Sequence, residues 1–336
     1  MRASRAAIIL LLILAAVIPV TLGGCGAKKQ TDSFFAMGSY ITQTVYNAEN
    51  TLLESVKSDI TQADANISIR IDNSYISLLN KEKTAVFDTQ TYNILYSVVE
   101  FCGVTNGIFD ISLLSLTDLW DIEGESPSVP NQDYIITALQ STGYENIIFG
   151  DNNTVTLNGG VWLDLGSVGK GYACDLAVEA YKEVGVSGII AVGGSIGVNG
   201  KKPDGDNFLV GIRDPFSAAV SDIFAGIKLA SGFVSTSGSY EKYFVEENKV
   251  YHHIFNSKTG YPVENELVSV SVVCDNGMLS DMLSTACFAL GIDDSLSLLK
   301  QYGAEAVFVT NDKKVVITQG LRFITTVYAD FEVIYI

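Results

Sequence analysis

The segment "DLGSVGKGYACD", residues 164–175, connects a predicted strand to a predicted helix. The apolar run "VWLDL" ends just before Gly166, and apolar residues recur at helical spacing from about Gly169. Glycines at such a junction let backbone N–H groups come close to a ligand, and the start of a helix favours an anion. The segment is not an ordinary P-loop, because Gly171 stands where Ser or Thr would hold magnesium. It predicts either a phosphate site or a tight turn that only allows helix and strand to pack.

Strands and helices come in groups on both sides of this segment. Strands are predicted in "SYITQTVYN" (39–47), on both sides of the Asn152–Asn153 turn, in "LVSVSVV" (267–273) and in the hairpin "AVFVTNDKKVVIT" (306–318). Helices are predicted in "TLLESVKSDITQADANI" (51–67), near residues 90–102, from Gly169 through Tyr181 and in "GMLSDMLSTACFALG" (277–291). Runs of strands with helices between them favour an α+β fold over a doubly wound α/β fold.

The N-terminus has the features of an exported lipoprotein. Arg2 and Arg5 precede an apolar run up to Leu22, as in a signal peptide, and "LGGC" (22–25) resembles the lipobox whose cysteine receives a diacylglyceryl group. An uncleaved membrane anchor is the alternative, although the run is just shorter than a spanning helix. The predicted divisions are a signal peptide over 1–24, a tether lipidated at Cys25 over 25–33 and one domain over 34–336. We expect the mature protein outside the cytoplasm, lipid-anchored to the bacterial cell membrane.

The chain is acidic. It has 38 Asp and Glu against 21 Lys and Arg, a net charge of −17, and loss of Arg2 and Arg5 with the signal peptide leaves 19 basic residues and a net charge of −19. Such a field disfavours nucleic acid as a partner, because no basic patch would dominate it. Hydrophobic residues make up 48% of the chain and charged residues 18%, which is typical of a globular protein with a substantial core.

Four cysteines follow Cys25 in the sequence: Cys102, Cys174, Cys274 and Cys287. They have no C-x-x-C spacing and the chain has only two histidines, so a structural zinc site is not expected. Export allows disulfides, but the sequence does not determine their pairing. Buried free thiols are the simpler interpretation.

The predicted helix over 277–291 has a polar face with metal-ligating groups. Asp281 and Thr285 lie one turn apart, beside Ser284 and away from the apolar stripe. A carboxylate and a hydroxyl are hard oxygen ligands suited to Mg²⁺, which proteins usually hold together with substrate phosphates. The pattern indicates either a magnesium site or a polar face in contact with solvent.

The two histidines, His252 and His253, are adjacent in "VYHHIFNSKTGYP" (250–262). In a strand, neighbouring side chains point to opposite faces, so only one of the two can enter a given pocket. Histidine is the side chain best suited to proton transfer near neutral pH. One of them is therefore a candidate base, with a structural role as the alternative.

Seven motifs, in order along the chain, resemble those of the FAD:protein FMN transferase (ApbE-like) family. They are "MGSY" (37–40), "GIFDIS" (107–112), "DLGSVGKGYACD" (164–175), "VGGSIGVNGKKPDG" (192–205) followed by "VGIRDP" (210–215), "STSGSYEKYF" (235–244), "HHIFNSKTGYPV" (252–263) and "MLSDMLSTACFALG" (278–291). The resemblance implies a fold of mixed or antiparallel sheets packed against helices. It also implies a Mg²⁺-dependent enzyme that cleaves FAD between its phosphates, transfers FMN to a threonine of an exported acceptor protein and releases AMP.

The resemblance further implies roles for particular residues. The metal would be held by the side chains of Asp281 and Thr285 and the backbone carbonyl of Ser167, with Ser284 nearby. His253 matches the histidine implicated in transfer. The residues that would contact FAD are Met37, Arg70, Ile108, Phe109, Asp110, Asp164, Lys170 and Phe255. The sequence departs from the family after the histidine, where Asn256 and Ser257 replace the usual aspartate and proline.

Two other functions fit the same residues. With water as the acceptor, the site would be a Mg²⁺-dependent FAD pyrophosphatase that releases FMN and AMP. The second alternative is a lipid-anchored flavin-binding protein without catalysis. A carrier of covalent FMN would need an acceptor sequence resembling D-[GA]-x-[ST]-[GS]-A-T, and the chain contains none.

Overall fold

The computed structural model of this protein describes residues 27–336. The predicted signal peptide and the predicted lipidation site at Cys25 lie outside the described residues. Residues 27–336 form eight α-helices: α1 (Asn50–Ile67), α2 (Tyr75–Glu82), α3 (Thr89–Val104), α4 (Leu114–Trp120), α5 (Gln132–Leu139), α6 (Gly169–Val184), α7 (Gly277–Leu290) and α8 (Ile292–Tyr302). Among these described helices, none combines the length and the apolar character needed to cross a bilayer.

The same residues form seventeen β-strands, most of them short. They are β1 (Lys29–Ala36), β2 (Ser39–Tyr46), β3 (Thr84–Val86), β4 (Ile147–Phe149), β5 (Thr154–Leu157), β6 (Ser187–Val192), β7 (Ser195–Asn199), β8 (Phe208–Arg213), β9 (Ile223–Leu229), β10 (Gly232–Gly238), β11 (Tyr243–Glu246), β12 (Lys249–His252), β13 (Leu267–Cys274), β14 (Glu305–Thr310), β15 (Lys314–Ile317), β16 (Thr325–Val327) and β17 (Glu332–Tyr335).

The largest sheet has nine strands in the order β1-β2-β6-β7-β10-β13-β14-β15-β17. Its neighbours pair antiparallel except β15 and β17, which are parallel. Three smaller sheets have the orders β16-β9-β8, β3-β5-β4 and β11-β12. The predicted α+β class, with mixed and antiparallel sheets packed against helices, is confirmed.

The two faces of the nine-stranded sheet belong to different cores, because strand side chains alternate. Ile190 of β6 and Phe233 of β10 pack with residues of α1 and α6 on one face. The next residue of β10, Val234, packs on the other face with Val210 of β8 and Ile227 of β9. The helices and the small β8–β9 sheet therefore cover opposite sides of one central sheet.

Helices α6 and α7 approach each other at two glycines. A Cβ atom on Gly171 would lie 2.1 Å from the carbonyl oxygen of Gly277, so the crossing requires glycine. The helices also cap each other. The Gly171 N–H donates to Asp281 of α7 at 2.9 Å, and the N–H groups of Gly277 and Met278 donate to Asp175 of α6 at 2.6 and 2.7 Å. This reciprocal arrangement fixes the position of Asp281. The glycine at the start of α6 thus serves packing between two helices, whereas the sequence predicted packing of helix and strand.

The predicted strands and helices appear as β2, β4 and β5, β13, β14 and β15, and as α1, α3, α6 and α7. Helices α2, α4, α5 and α8 were not predicted; the first three have only seven or eight residues, too few to show a helical period. The predicted tether is wrong in part, since residues 29–33 belong to β1. The hydroxyl groups of Thr31 and Thr44 lie 3.0 Å apart across β1 and β2, and such pairs stabilise the polar edge strand.

All four cysteines of the described residues are buried free thiols, as the simpler interpretation predicted. Burial raises the pKa of Cys274 to about 11 and that of Cys287 to about 12, so these thiols stay protonated at neutral pH.

Candidate active site

One cavity of about 620 Å³ brings together the predicted site residues. It lies where the β1–β2 turn, the start of α6, helix α7 and the segments that follow α3 and β12 meet. All but one of the predicted residues line it: Met37, Arg70, Ile108, Phe109, Asp110, Asp164, Ser167, Lys170, His253, Phe255, Asp281 and Thr285. The exception is Ser284.

Asp281 is 2% exposed, and its carboxylate lies at the start of α6. Its Oδ2 accepts the Gly171 N–H at 2.9 Å. Burial raises the pKa of Asp281, while the Lys170 ammonium and the Gly171 N–H lower it. One N–H group of the segment that was predicted as either a phosphate site or a tight turn is therefore bonded to a carboxylate of the protein. The alternative prediction for this helix, a polar face in solvent, is wrong at Asp281.

Lys170 lies across the glycine segment. Its Nζ donates to the Gly166 carbonyl at 3.2 Å and lies 4.0 Å from Asp281 Oδ1. The ammonium thus faces the cavity beside the buried carboxylate. A positive charge at this point favours an anionic ligand next to Asp281.

Three hydroxyl groups connect α7 to the end of β10. Ser237 Oγ lies 2.8 Å from Ser284 Oγ and 3.1 Å from Thr285 Oγ1. Ser284 is fully buried and its Oγ donates to the Asp281 carbonyl at 2.9 Å. Thr285 therefore faces the cavity, whereas Ser284 lies behind its wall and supports the helix.

The donor set suits a hard cation. Residues 27–336 hold no cluster of three or more His, Cys, Asp or Glu side chains in metal-ligating arrangement. The cavity does offer a buried carboxylate, the Thr285 hydroxyl and the Ser167 backbone. The buried Ser195 hydroxyl lies beside Asp281 and lowers the pKa of its carboxyl group. A buried, incompletely neutralised carboxylate next to hydroxyl groups fits Mg²⁺ shared with phosphate oxygens.

Two carboxylates on the wall are held by backbone N–H groups. Asp110 accepts from Ser112 at 2.8 Å and from Tyr144 at 3.1 Å, and Asp164 accepts from Gly166 at 2.9 Å. Burial raises the pKa of both carboxyl groups. The neighbouring wall is apolar and suits a flat ring; its residues include Met37, Ile108, Phe109 and Phe255.

The two histidines have different surroundings, as predicted, although β12 ends at His252 and His253 lies just after the strand. His252 is buried outside the cavity, with its Nε2 donating to the Val263 carbonyl at 2.9 Å. His253 lines the cavity, and its Nδ1 lies 3.3 Å from the Lys242 carbonyl. A carbonyl only accepts, so Nδ1 carries the proton and Nε2 is the basic nitrogen. Burial and the nearby Lys242 ammonium lower the pKa of His253 to about 4, so the ring is neutral at pH 7.

Comparisons with known proteins identify the family of the chain. The sequence profile of the ApbE family matches residues 37–308, most of the chain. The chain belongs to the ApbE family. It is similar to the FAD:protein FMN transferase of Treponema pallidum (strain Nichols), at 28% identity over 330 residues that cover 89% of this chain and 91% of the relative.

Two solved ApbE structures share the fold. The ApbE protein of Thermotoga maritima aligns with a TM-score of 0.81 at 29% identity, covering 88% of this chain and 99% of that chain. The flavinyl transferase ApbE of Pseudomonas stutzeri, in its apo form, aligns with a TM-score of 0.74 at 26% identity, covering 85% and 92%. The predicted family is confirmed.

Several residues of this ApbE cavity were not predicted: Glu123, Ser237, Glu241 and Lys242. The last three belong to "STSGSYEKYF", so a motif marked their region without showing which side chains face the cavity. Glu123 follows α4 in an irregular segment that carries no motif. Its place in the site depends on contacts with residues distant in sequence.

Proposed function

We propose that this ApbE chain is a FAD:protein FMN transferase that requires Mg²⁺, attaches FMN to a threonine hydroxyl of an exported acceptor protein and releases AMP. The observation that carries the proposal is the presence of Asp281, Lys170 and His253 in one cavity. The activity named for the Treponema pallidum relative supports it.

His253 has the protonation state that the transfer needs. The threonine oxygen attacks the phosphorus on the flavin side of the FAD diphosphate, and the bond from that phosphorus to the bridging oxygen breaks. AMP leaves with the bonding electrons. The hydroxyl proton goes to His253 Nε2, which is unprotonated because Nδ1 donates to the Lys242 carbonyl.

Lys170 binds and orients the diphosphate. Its ammonium is held by the Gly166 carbonyl and faces the same space as Asp281. The side chains of Asp281 and Thr285 and the carbonyl of Ser167 would hold Mg²⁺. When bound, the ion would neutralise negative charge on the diphosphate.

The proposal is tested by incubating the purified protein with FAD, Mg²⁺ and an acceptor protein that contains the sequence D-[GA]-x-[ST]-[GS]-A-T. We expect flavin fluorescence on the acceptor band of a denaturing gel, and AMP in equal amount. FMN and AMP free in solution, with an unlabelled acceptor, would instead identify a pyrophosphatase. No turnover of FAD under these conditions would contradict both activities.

Two variants test whether His253 takes part in the transfer. His253→Ala is expected to reduce the transfer rate by about 10²-fold or more, because the hydroxyl loses its proton acceptor. The matched control is His252→Gln, which changes the neighbouring histidine outside the cavity. Equal losses in both variants, per folded molecule, would show that His253 has no special role.

We also propose that the protein is anchored outside the cytoplasm by lipid on Cys25. The "LGGC" sequence after an apolar run supports this. Cys25→Ser is expected to move the protein out of the membrane fraction of cells. Unchanged membrane association of the variant would refute lipidation as the means of attachment.

A further inference from the structure

Three charged side chains from distant segments meet at one side of the cavity. The Lys242 Nζ lies 2.6 Å from Glu123 Oε1, and Arg70 Nη2 lies 3.6 Å from Glu123 Oε2. Both carboxylate oxygens of Glu123 are thus paired with a cation. All three residues line the cavity that holds His253.

The same lysine holds the histidine through its backbone. The Lys242 carbonyl lies 3.3 Å from His253 Nδ1 and also accepts the His253 N–H at 3.2 Å. Glu123 therefore holds the side chain of Lys242, and the backbone carbonyl of Lys242 holds the imidazole ring of His253. A displacement of residue 242 would release the ring from the orientation that presents Nε2 to the cavity.

The ion pair also sets the charge around the ring. The Lys242 ammonium lowers the pKa of His253, whereas the Glu123 carboxylate raises it. Two other charged groups lie on this side. Arg70 is paired with Glu123, and the pKa of Asp164 is affected by the charges of Arg70, Lys242 and Glu123. His252, the adjacent residue, has a smaller lowering effect.

We infer that Glu123 and Lys242 are positioning residues for His253. Their ion pair holds residue 242, whose carbonyl accepts the hydrogen bond from Nδ1–H of His253, and their charges act on the imidazole in opposite directions. The inference rests on the proposed function, in which His253 Nε2 accepts the threonine proton.

The pair contributes little to folding stability, so its variants are suitable probes. The side chains of Lys242 and Glu123 are 44% and 41% exposed. Ion pairs this exposed are largely screened by solvent. Glu123→Gln and Lys242→Met keep the length of the side chain and are expected to fold.

The first measurement is an NMR titration of the histidine rings in the protein without FAD or metal. The chain has only two histidines, so two ring signals are expected, and His252→Gln assigns them. Glu123→Gln is expected to lower the His253 midpoint, and Lys242→Met to raise it by the larger amount, about half a pH unit. The midpoint of the double variant should lie between those of the two single variants, because both charges are removed.

The second measurement is the single-turnover rate of FMN transfer at pH 7. Lys242→Met and the double variant are expected to be about tenfold slower, because the ring loses its fixed orientation. Lys242→Arg keeps the ion pair and should retain most of the rate. Lys249→Met is the matched control, since it removes another ion pair, with Glu264, on the same hairpin.

Shifts in the same direction in both single variants, or a double variant as fast as wild type, would overturn the inference. Equal effects of Lys249→Met on the His253 midpoint and rate would also overturn it. A wild-type protein that transfers no FMN would instead contradict the proposed function, whatever the titration shows.

Discussion

At the scale of single residues, the site reduces the stability of the folded protein mainly at Asp281. Its carboxylate is buried, and burial raises its pKa because the charged form loses water. The Gly171 N–H and the Lys170 ammonium offset only part of that loss. The buried charge of Asp281 therefore opposes folding.

Asp281→Asn tests this balance. The amide oxygen can still accept the Gly171 N–H, and no charge is buried, so we expect the melting temperature without ligands to stay the same or rise by about 2 °C. FMN transfer should fall below detection. Thermal unfolding and gel fluorescence measure the two effects, with Asp275→Asn, an exposed site before α7, as the control. A destabilised but active variant would contradict both expectations.

His253 predicts a pH dependence of stability. Its pKa is about 4 in the folded protein and about 6.5 in the unfolded chain, so the unfolded chain binds more protons between these values. The free energy of unfolding should therefore fall as the pH drops from 6.5 towards 4. At pH 5, the titration of His253 is expected to have lowered the free energy of unfolding by at most about 2 kcal/mol relative to pH 7.

Urea denaturation at pH 7 and pH 5 checks this expectation. His253→Gln should lose less stability than the wild-type protein over the same range. His252 also has a lowered pKa, so part of the pH dependence remains in the variant. An unchanged difference between the two pH values would mean that His253 titrates as in the unfolded chain.

At the scale of secondary structure elements, the site depends on the crossing of α6 and α7. The backbones of the two helices are in contact at Gly171 and Gly277. N–H groups in the first turn of each helix donate to a carboxylate of the other helix. Any side chain at the crossing pushes Asp281 away from the start of α6. Packing and site geometry are therefore set by the same contact.

Gly171→Ala is expected to destabilise the protein by about 3 kcal/mol, because the new Cβ meets backbone atoms that cannot move separately. Gly150→Ala is the matched control, since its Cβ would lie 3.6 Å from the Thr154 carbonyl oxygen at an ordinary negative φ. Urea denaturation compares the two. Similar small effects would show that the helices can separate without loss of stability.

At the scale of the whole molecule, the cavity takes walls from both sides of the central sheet and from the segments around it. Its lining includes Ile196, Val210 and Val234, which pack on the face covered by β8 and β9. It also includes Gly169 and Asp281, which belong to the helices on the other face. A ligand that fills the cavity contacts elements from much of the chain. Ligand binding should therefore stabilise the whole domain.

We expect FAD with Mg²⁺, at about 100 times its dissociation constant, to raise the free energy of unfolding by about 2.7 kcal/mol. Thermal unfolding with and without Mg²⁺ measures the effect and its dependence on the metal. A DNA duplex at the same concentration is the control, since the net charge of −17 predicts no binding. Stabilisation by FAD that is independent of Mg²⁺ would argue against a shared metal site.

The sequence by itself determined the features that local patterns encode. Periodicity located the long helices and the main strands, and the adjacent histidines on a strand predicted that only one enters a pocket. Motif order identified the family, and the resemblance implied many, but not all, of the residues that line the cavity. Short helices such as α2 and α5 were not predicted, because their segments are too short to show a helical period.

Only the tertiary structure decided how those residues are used. The Gly171 N–H meets Asp281 across 110 positions of sequence, and Glu123 meets Lys242 across 119. The sequence placed Asp281 on a polar helix face, and it is the packing of α6 against α7 that buries it. Burial, capping and ion pairing between distant segments arise only when the chain is folded, because each depends on distances that no local pattern specifies.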